Sequence, residues 1–419
     1  MAKNSVIISH PTGNANVRYM ALALVQHKLL SAFYTCIAVF KGSIIAKFAI
    51  GPFKEFLKRS FAPELQRYTH THPFKELGRM AALKLGKRDW VKQEQGKFSV
   101  DAIYRDLDMH VSKKLTNQKA IYAYEDGALQ SFKVAKSKGI VCLYDLPIGY
   151  WRSMRKLLET EKVNRPEWAV TLTGFNDSEA KLQRKDSELS LADHIFVASS
   201  FTKKTLEMYP GKLTNVEVIP YGFPPVYKNK QYAQADGSTP LKVLFVGGLS
   251  QRKGIANVFE AVEYLGSDKI ELTVVGLKSA EDCKPLNEGL EKCNYIPSLP
   301  HSEILELMQT QDVFVFPSLF EGFGLVITES MSQGLPVIAT DRTIAPDIIE
   351  HGRNGWIIEP GSTPSLISCL QSILDDRSQL KKCGEAAMQT AMNRPWEKYG
   401  LDMANAINAI LLKDNAVKN

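Results

Sequence analysis

The chain has 419 residues, 44% apolar and 23% charged, with 27 Gly and 20 Pro. That is more than one hydrophobic core normally serves, and the composition is ordinary for a soluble globular protein, so two domains are expected. The net charge of +7 is concentrated in residues 41–100, where thirteen Lys/Arg stand against five Asp/Glu. Such a patch attracts phosphates, an anionic membrane surface or nucleic acid. No nucleic-acid-binding motif accompanies it, which disfavours a nucleic-acid partner. The six cysteines, Cys36, Cys142, Cys283, Cys293, Cys369 and Cys383, are scattered without C-x-x-C spacing and read as buried free thiols of a reducing compartment. The start, "MAKNSVIISH", has no charged-then-apolar leader. The apolar stretch 20–40 is interrupted by Gln26, His27 and Lys28, which argues against a transmembrane helix. A cytoplasmic location is expected, with association at the inner face of the membrane if the basic segment binds lipid.

In chain order, the first series of strand-like runs is "SVIIS" (5–9), "AIYAY" (120–124), "IVCLYD" (140–145), "HIFVAS" (194–199) and "VEVIP" (216–220), with helical patterns between most of them. A Pro/Gly/Ser-bearing stretch then reads as an interdomain linker. The second series is "LKVLFVG" (241–247), "IELTVVG" (270–276), "CNYIP" (293–297), "DVFVFP" (312–317), "LPVIAT" (335–340) and "GWIIEP" (355–360). Short strands, apolar on both faces and alternating with helices, predict parallel sheets covered on both sides. The fold class is therefore α/β: two Rossmann-like, doubly wound domains facing a central cleft, with ligands at the carboxyl ends of the strands. The expected division is 1–222 for the first domain, 223–240 for the linker and 241–394 for the second domain. A terminal helix at about 395–415 should pack back on the first domain.

The chemistry concentrates in "SLFEGFGLVITES" (318–330). Gly322 and Gly324 let the backbone approach a ligand, and the helix that follows aims free N–H groups and its positive dipole end at the same point. That is a phosphate site. Glu321 and Glu329 would repel a phosphate unless they bind something else, and sugar or ribose hydroxyls are suitable partners. Two acids gripping the ends of a ligand whose middle is a diphosphate describe a nucleotide sugar; a strand–helix loop with two solvated acids has the same shape. At the end of the first strand of the second series, "VGGLSQRKG" (246–254) turns at Gly247 and Gly248 and offers Arg252 and Lys253 as cations for a leaving diphosphate. No D-x-D stands where a donor-binding metal would sit, so no metal is expected and these cations replace its charge.

These stretches resemble the retaining family 4 glycosyltransferases of the GT-B fold. "EGFGLVITE" is similar to their E-x-seven-E signature and "GGLSQRKG" to their first phosphate loop, while "GLPVIAT" and "IIEHGRNGWIIEPG" resemble the next two blocks. The resemblance implies that Glu321, Gly322, Phe323, Gly324 and Leu325 contact the donor sugar and diphosphate. It also implies that Glu329 binds the ribose, that Arg252 and Lys253 bind the phosphates, and that backbone near Ile296 touches the base. Gly248 departs from the pattern, since many members carry Arg there, and Arg252 is then the substitute cation. In the first half, "SHPTGNANVRYMALAL" resembles the N-terminal glycine loop, here Gly13-Asn14, near diphosphate and acceptor; a plain strand–turn–helix connection reads equally well. The histidine that many members carry at the end of a middle strand is absent. Glu125, Asp126 and Asp145, at predicted strand ends facing the cleft, are the acidic candidates for the acceptor side, with capping of a following helix as the structural alternative.

The resemblance implies a metal-independent hexosyltransferase that retains anomeric configuration, needs no cofactor, and uses the leaving phosphate to help take the acceptor proton. Its partners would be a nucleotide diphosphate sugar, a glycan or lipid-linked glycan acceptor of cell-surface polysaccharide or glycolipid synthesis, and an anionic membrane surface through 41–100. A nucleotide-sugar epimerase of the same fold and a non-catalytic sugar-nucleotide-binding subunit are the rivals. Within the basic segment, "GPFKEFLKRSF" (51–61) places Phe53, Phe56, Leu57 and Phe61 on one helical face, as an interfacial helix or an ordinary surface helix would. "THTH" (69–72) reads as a surface loop with free histidines.

Overall fold

The structure, a computed structural model, describes residues 5–42, 59–213, 215–232, 239–280 and 282–418. Residues 51–58 of the helix expected at 51–61 lie outside the described residues; its end is not helical, since Ser60–Phe61 is a strand and Phe61 is buried in the core rather than on a helical face. The strands of the first half are β1 (Val6–Ser9), β2 (Leu30–Thr35), β3 (Val39–Phe40), β4 (Ser60–Phe61), β5 (Thr69–Thr71), β6 (Ala120–Tyr124), β7 (Val141–Leu146), β8 (His194–Val197) and β9 (Val216–Val218). Seven of them form one parallel sheet in the order β5-β2-β1-β6-β7-β8-β9, with β3 and β4 paired beside it. The second half holds β10 (Leu241–Val246), β11 (Ile270–Val275), β12 (Asn294–Ile296), β13 (Val313–Phe316), β14 (Val337–Thr340) and β15 (Trp356–Ile358). They form a second parallel sheet, β12-β11-β10-β13-β14-β15. Each sheet is doubly wound: strand order reverses beside β1 and beside β10. β1 and β13 are buried along their whole length, as expected of strands covered by helices on both faces.

Four strands were not foreseen: β2, β5 and the short pair β3 and β4. The apolar stretch 20–40 takes in the second half of the helix Ala15–Gln26, then β2 and β3, with a turn between helix and β2 in which Lys28 takes a left-handed φ of 59°. "THTH" is not a loop. Its first three residues are the edge strand β5, paired with Phe33–Thr35; His70 stacks on Tyr34 at 5.0 Å and His72 Nε2 lies 2.9 Å from Asp106 Oδ2.

The helix Trp396–Lys418 lies against the helix Ala15–Gln26. Tyr399, Met403 and Ile407 join Val17, Met20 and Leu24 in one buried cluster, and Trp396 stacks on Tyr19 at 5.6 Å. The helices approach closely because Gly400 lacks a side chain: a Cβ there would lie 2.5 Å from the carbonyl oxygen of Tyr19. The chain passes twice between the sheets, and the passages touch. Phe223 N–H donates to Arg394 O at 2.9 Å, and Arg394 Nε donates to Pro220 O at 3.0 Å. After the first passage Lys230 is buried, its ammonium donating to the carbonyls of Met308, Gln309 and Gln311 at 3.1, 3.0 and 2.7 Å, where the helix His301–Thr310 ends.

Gly400→Ala should lower unfolding free energy by about 1–3 kcal/mol, the usual cost of forcing extra volume into a packed contact. Gly248→Ala, where a Cβ meets nothing within 4 Å, should stay within about 0.5 kcal/mol of wild type. Denaturant titration measures both, and equal stability of the two variants would contradict this packing.

Candidate active site

A cleft of about 310 Å³ opens where the carboxyl ends of β1 and β6 face those of β10 and β13. These strand pairs flank the reversal of strand order in each sheet, the place where doubly wound sheets bind ligands. A larger hollow of about 750 Å³, bordered by Ser153, Lys204 and Arg342, includes neither glutamate of the 318–330 loop.

Two helices begin on this cleft. One starts at Ala15 after Asn14, and the other at Leu325 after Gly324, whose φ is +88°. Asn14 and Ala15 line the cleft from one side, Leu325 and Val326 from the other. Neither helix has an acidic residue in its first turn. Two sets of first-turn N–H groups and two positive dipole ends therefore meet without a built-in anion to neutralise them. Lys253 lines the same space, and so does Gly248, beside which there is open room. The arrangement favours a ligand carrying more than one negative charge.

The two loops are fastened together. A Cβ on Gly254 would lie 2.2 Å from Pro317 O, so the loop after β10 rests on the backbone of the loop after β13. Leu319 N–H and Ser318 Oγ both donate to Arg252 O, at 2.8 and 3.1 Å. Arg252 Nη1 returns a bond to Phe320 O at 2.8 Å and lies 3.4 Å from Glu321 Oε2; Lys253 is ion-paired with the same carboxylate. Burial brings the Arg252 pKa down to about 10. Burial and the neighbouring Arg252 pull that of Lys253 well below the ordinary lysine value.

Several expected site residues lie elsewhere. Gly322 faces the first domain: a Cβ would meet Pro147 O at 2.0 Å, and its carbonyl accepts from Ser199 Oγ and Thr202 Oγ1 at 2.6 and 2.8 Å. Gly13 is covered by the Phe61 ring, which would lie 2.4 Å from a Cβ at that position, and its carbonyl accepts from Arg18 Nε at 2.6 Å. The carbonyl of Ile296 accepts from Gly276 N–H at 3.0 Å, within the sheet edge. Glu329 lies outside the lining of the 310 Å³ cleft, with His301 Nε2 at 3.0 Å from its Oε1; this contact raises the His301 pKa. Phe323, Gly324, Leu325, Gly247, Gly248, Asn14, Lys253 and Glu321 all line the cleft.

Glu125 and Asp126 do not face the cleft as expected. Lys185 Nζ lies 3.0 Å from Glu125 and 3.2 Å from Asp126, and Arg184 lies 2.8 Å from Asp126. Those cations belong to the helix Glu179–Leu191, whose Glu188 also accepts from the backbone N–H of Asp126, Ala128 and Leu129. Charge pairing with this helix turned the acids away. Asp145 is different: it is buried, with Asn16 Nδ2 at 3.4 Å, and Asn16 lines the cleft. Burial raises its pKa to about 7, against a hydrogen bond from Tyr122 that lowers it.

Sequence reasoning missed His10, Asn16, Tyr221 and Trp396. His10 Nδ1 accepts from Gly13 N–H at 2.9 Å, and its ring lies 4.4 Å from that of Tyr124, a cleft residue. Its buried Nε2 has no hydrogen-bond partner among the described residues, and burial, with Arg18 nearby, lowers its pKa to about 3, keeping the ring neutral. Its position three residues before Gly13 was the available signal. Tyr221 and Trp396 stack at 5.9 Å and line the cleft, although they are far apart in the chain. Among the described residues, no group of three or more His, Cys, Asp or Glu is placed to hold a metal ion.

Residues 228–390 match the family model described as glycosyl transferases group 1. The chain is 28% identical over 192 residues to the sulfoquinovosyl transferase SQD2 of Arabidopsis thaliana, covering 44% of this chain and 37% of that protein. It is 24% identical over 285 residues to a D-inositol 3-phosphate glycosyltransferase of Corynebacterium aurimucosum, covering 63% and 66%. These matches thus span roughly a third to two thirds of the curated relatives' length. Among solved structures, a sucrose-phosphate synthase from Thermosynechococcus elongatus superposes with a TM-score of 0.65 at 17% identity, covering 97% of this chain and 99% of that one. HepE of Anabaena, solved with UDP and glucose, gives a TM-score of 0.60 at 17% identity, covering 96% and 99%. The chain therefore has the two-domain GT-B fold, and its residues 228–390 carry the sequence pattern of the group 1 glycosyl transferases.

Proposed function

We propose that the protein is a glycosyltransferase, moving a hexosyl group from a nucleoside diphosphate sugar to a glycan or lipid-linked glycan in polysaccharide or glycolipid synthesis. The observation that carries this reading is the meeting of two acid-free helix N-termini and Lys253 in one cleft, with Glu321 within reach of the same lysine. A diphosphate fits that field, and HepE, of the same fold, was solved with UDP-glucose. An incoming phosphate takes Lys253 and Arg252 as counter-charges. Glu321 is thereby released to accept hydrogen bonds from the sugar hydroxyls, where charge changes during transfer. Glu329, about one turn into the helix that starts at Leu325 and beside the cleft, takes the ribose in place of His301.

The reading includes retention of configuration and no metal. As the sugar–phosphate bond breaks, the leaving phosphate oxygen, held by the two cations, takes the acceptor proton while the acceptor oxygen bonds the same face of the sugar. Asp145 orients Asn16 at the cleft wall. The remaining work is positioning and exclusion of water by the aromatic wall of Tyr221, Phe323 and Trp396.

The test is product analysis with a panel of nucleotide sugars and glycan acceptors. Transfer to an acceptor with nucleoside diphosphate release supports the reading; epimerised donor without transfer overturns it. Glu321→Ala should lower kcat more than it raises KM, and Glu329→Ala should mainly weaken donor binding. Steady-state kinetics with direct donor titration separate the two, and identical effects would refute the division.

Lys253→Ala and Arg252→Ala should each cut kcat by about a hundredfold or more, as loss of a preorganised charge stabiliser does. Activity should persist in a chelator. Abolition by the chelator, with rescue by magnesium or manganese, would show that the cations do not replace a metal.

A further inference from the structure

The helix Phe74–Lys84 is apolar on two faces. Met80 and the buried Ala82 turn toward the first domain, together with Glu76, which is buried and held by Arg59 and Arg79 at 2.7 and 2.8 Å, while a second set of apolar residues points outward. Phe74 is 76% exposed, Leu85 69%, and Leu77 and Trp90 40% each. Phe74, Leu77, the exposed Ala81 and Leu85 follow one another at helical spacing, so they form a stripe on one face. A soluble helix normally turns such a stripe inward.

We propose that this face docks onto an anionic lipid bilayer. The charge around it is complementary: residues 74–98 hold seven Lys/Arg against three Asp/Glu. Two of those acids are engaged internally, Glu76 as above and Glu94 by accepting from Ser178 N–H at 2.9 Å. Lys87, Arg88 and Lys92 are exposed beside Leu85 and Trp90, and Lys97 sits 3.7 Å from the Trp90 ring centre. An apolar stripe with an aromatic residue and flanking cations suits the headgroup–acyl boundary, where such helices sink by roughly 5–10 Å. A second copy of the chain is a poorer occupant, since a two-fold contact would set these cations against each other. Among the described residues no helix is long and apolar enough to cross a membrane, so the contact is peripheral.

The position gives the contact a purpose. β5 runs parallel to β2, and the chain goes from its carboxyl end through His72 and Pro73 into the helix. Phe74 therefore emerges at the sheet edge where β1 and β6 reach the cleft. A membrane on this face would lie beside the acceptor side, within reach of a lipid-linked sugar chain.

The test is co-sedimentation of the full chain with phosphatidylcholine vesicles, with and without phosphatidylglycerol, at low and high salt. Binding should require phosphatidylglycerol and fall at high salt. Replacing Lys87, Arg88 and Lys92 together by Gln should weaken it about a hundredfold, each cation near the surface contributing roughly a factor of five. The Phe74→Ser, Leu85→Ser double variant should weaken it at least tenfold. Both variants should keep wild-type melting and nucleotide-sugar binding, because the exposed residues support no core and the donor loops lie beyond residue 240. No vesicle binding at low salt, equal binding by wild type and variants, or binding to heparin without binding to vesicles would overturn the proposal. Vesicle binding needs no turnover, so its failure is distinguishable from failure of the glycosyl-transfer reading.

Discussion

The cleft depends on one contact, the seating of the Glu321 loop against the backbone of the first domain. Gly322 can hold no side chain there, because Pro147 O occupies the space, and Ser199 and Thr202 spend their hydroxyls on its carbonyl. Phe320 beside it packs edge-on against Phe201 at 5.6 Å and over Gly149. The loop is thus gripped by the ends of β7 and β8 while its other end rests on Arg252 and Gly254. Four loops from two sheets are fixed relative to one another, and the two helix N-termini are aimed at one point.

The electrostatics of the cleft follow from that enclosure. Lys253 and Arg252 are buried enough for their charged forms to be penalised, and the Glu321 carboxylate is the partner that compensates them. Removing one member of such a group leaves a buried charge without a partner, which is costly. A phosphate that replaces the carboxylate keeps the cations compensated and adds the two helix termini to its binding. In the function proposed above, the site would exchange this internal anion for a ligand anion and leave Glu321 available for neutral hydroxyls.

How far the sequence reveals this differs from residue to residue. β6 and the apolar cores of β10, β11 and β13 follow from local periodicity and turn chemistry, because strands buried on both faces leave an unbroken apolar run. The glycines and acids at 318–330 were visible because a loop that feeds a helix N-terminus has a short-range signature. β2 was hidden because Lys28, in a left-handed turn, joins a helix and a strand that are both apolar. β5 was hidden because an edge strand of Thr and His needs no apolar alternation. Glu125 and Asp126 could not be assigned correctly without knowing that Lys185 and Arg184, some sixty residues later, pair with them. Gly322 showed in the sequence only that a backbone must come close, not which one. Asn16, Tyr221 and Trp396 come together only where the last helix packs on the first, and His10 meets Tyr124 only through the pairing of β1 with β6, which no local pattern encodes.

The most direct measurement of the central claim is a calorimetric titration of the wild-type chain, in chelator, with nucleoside diphosphates and the matching monophosphates. If two helix termini and Lys253 converge on a diphosphate, one diphosphate should bind per chain at least tenfold more tightly than its monophosphate, a difference of about 1.4 kcal/mol. Equal affinity for the two, or no saturable binding of any nucleoside diphosphate or its sugar, would contradict it.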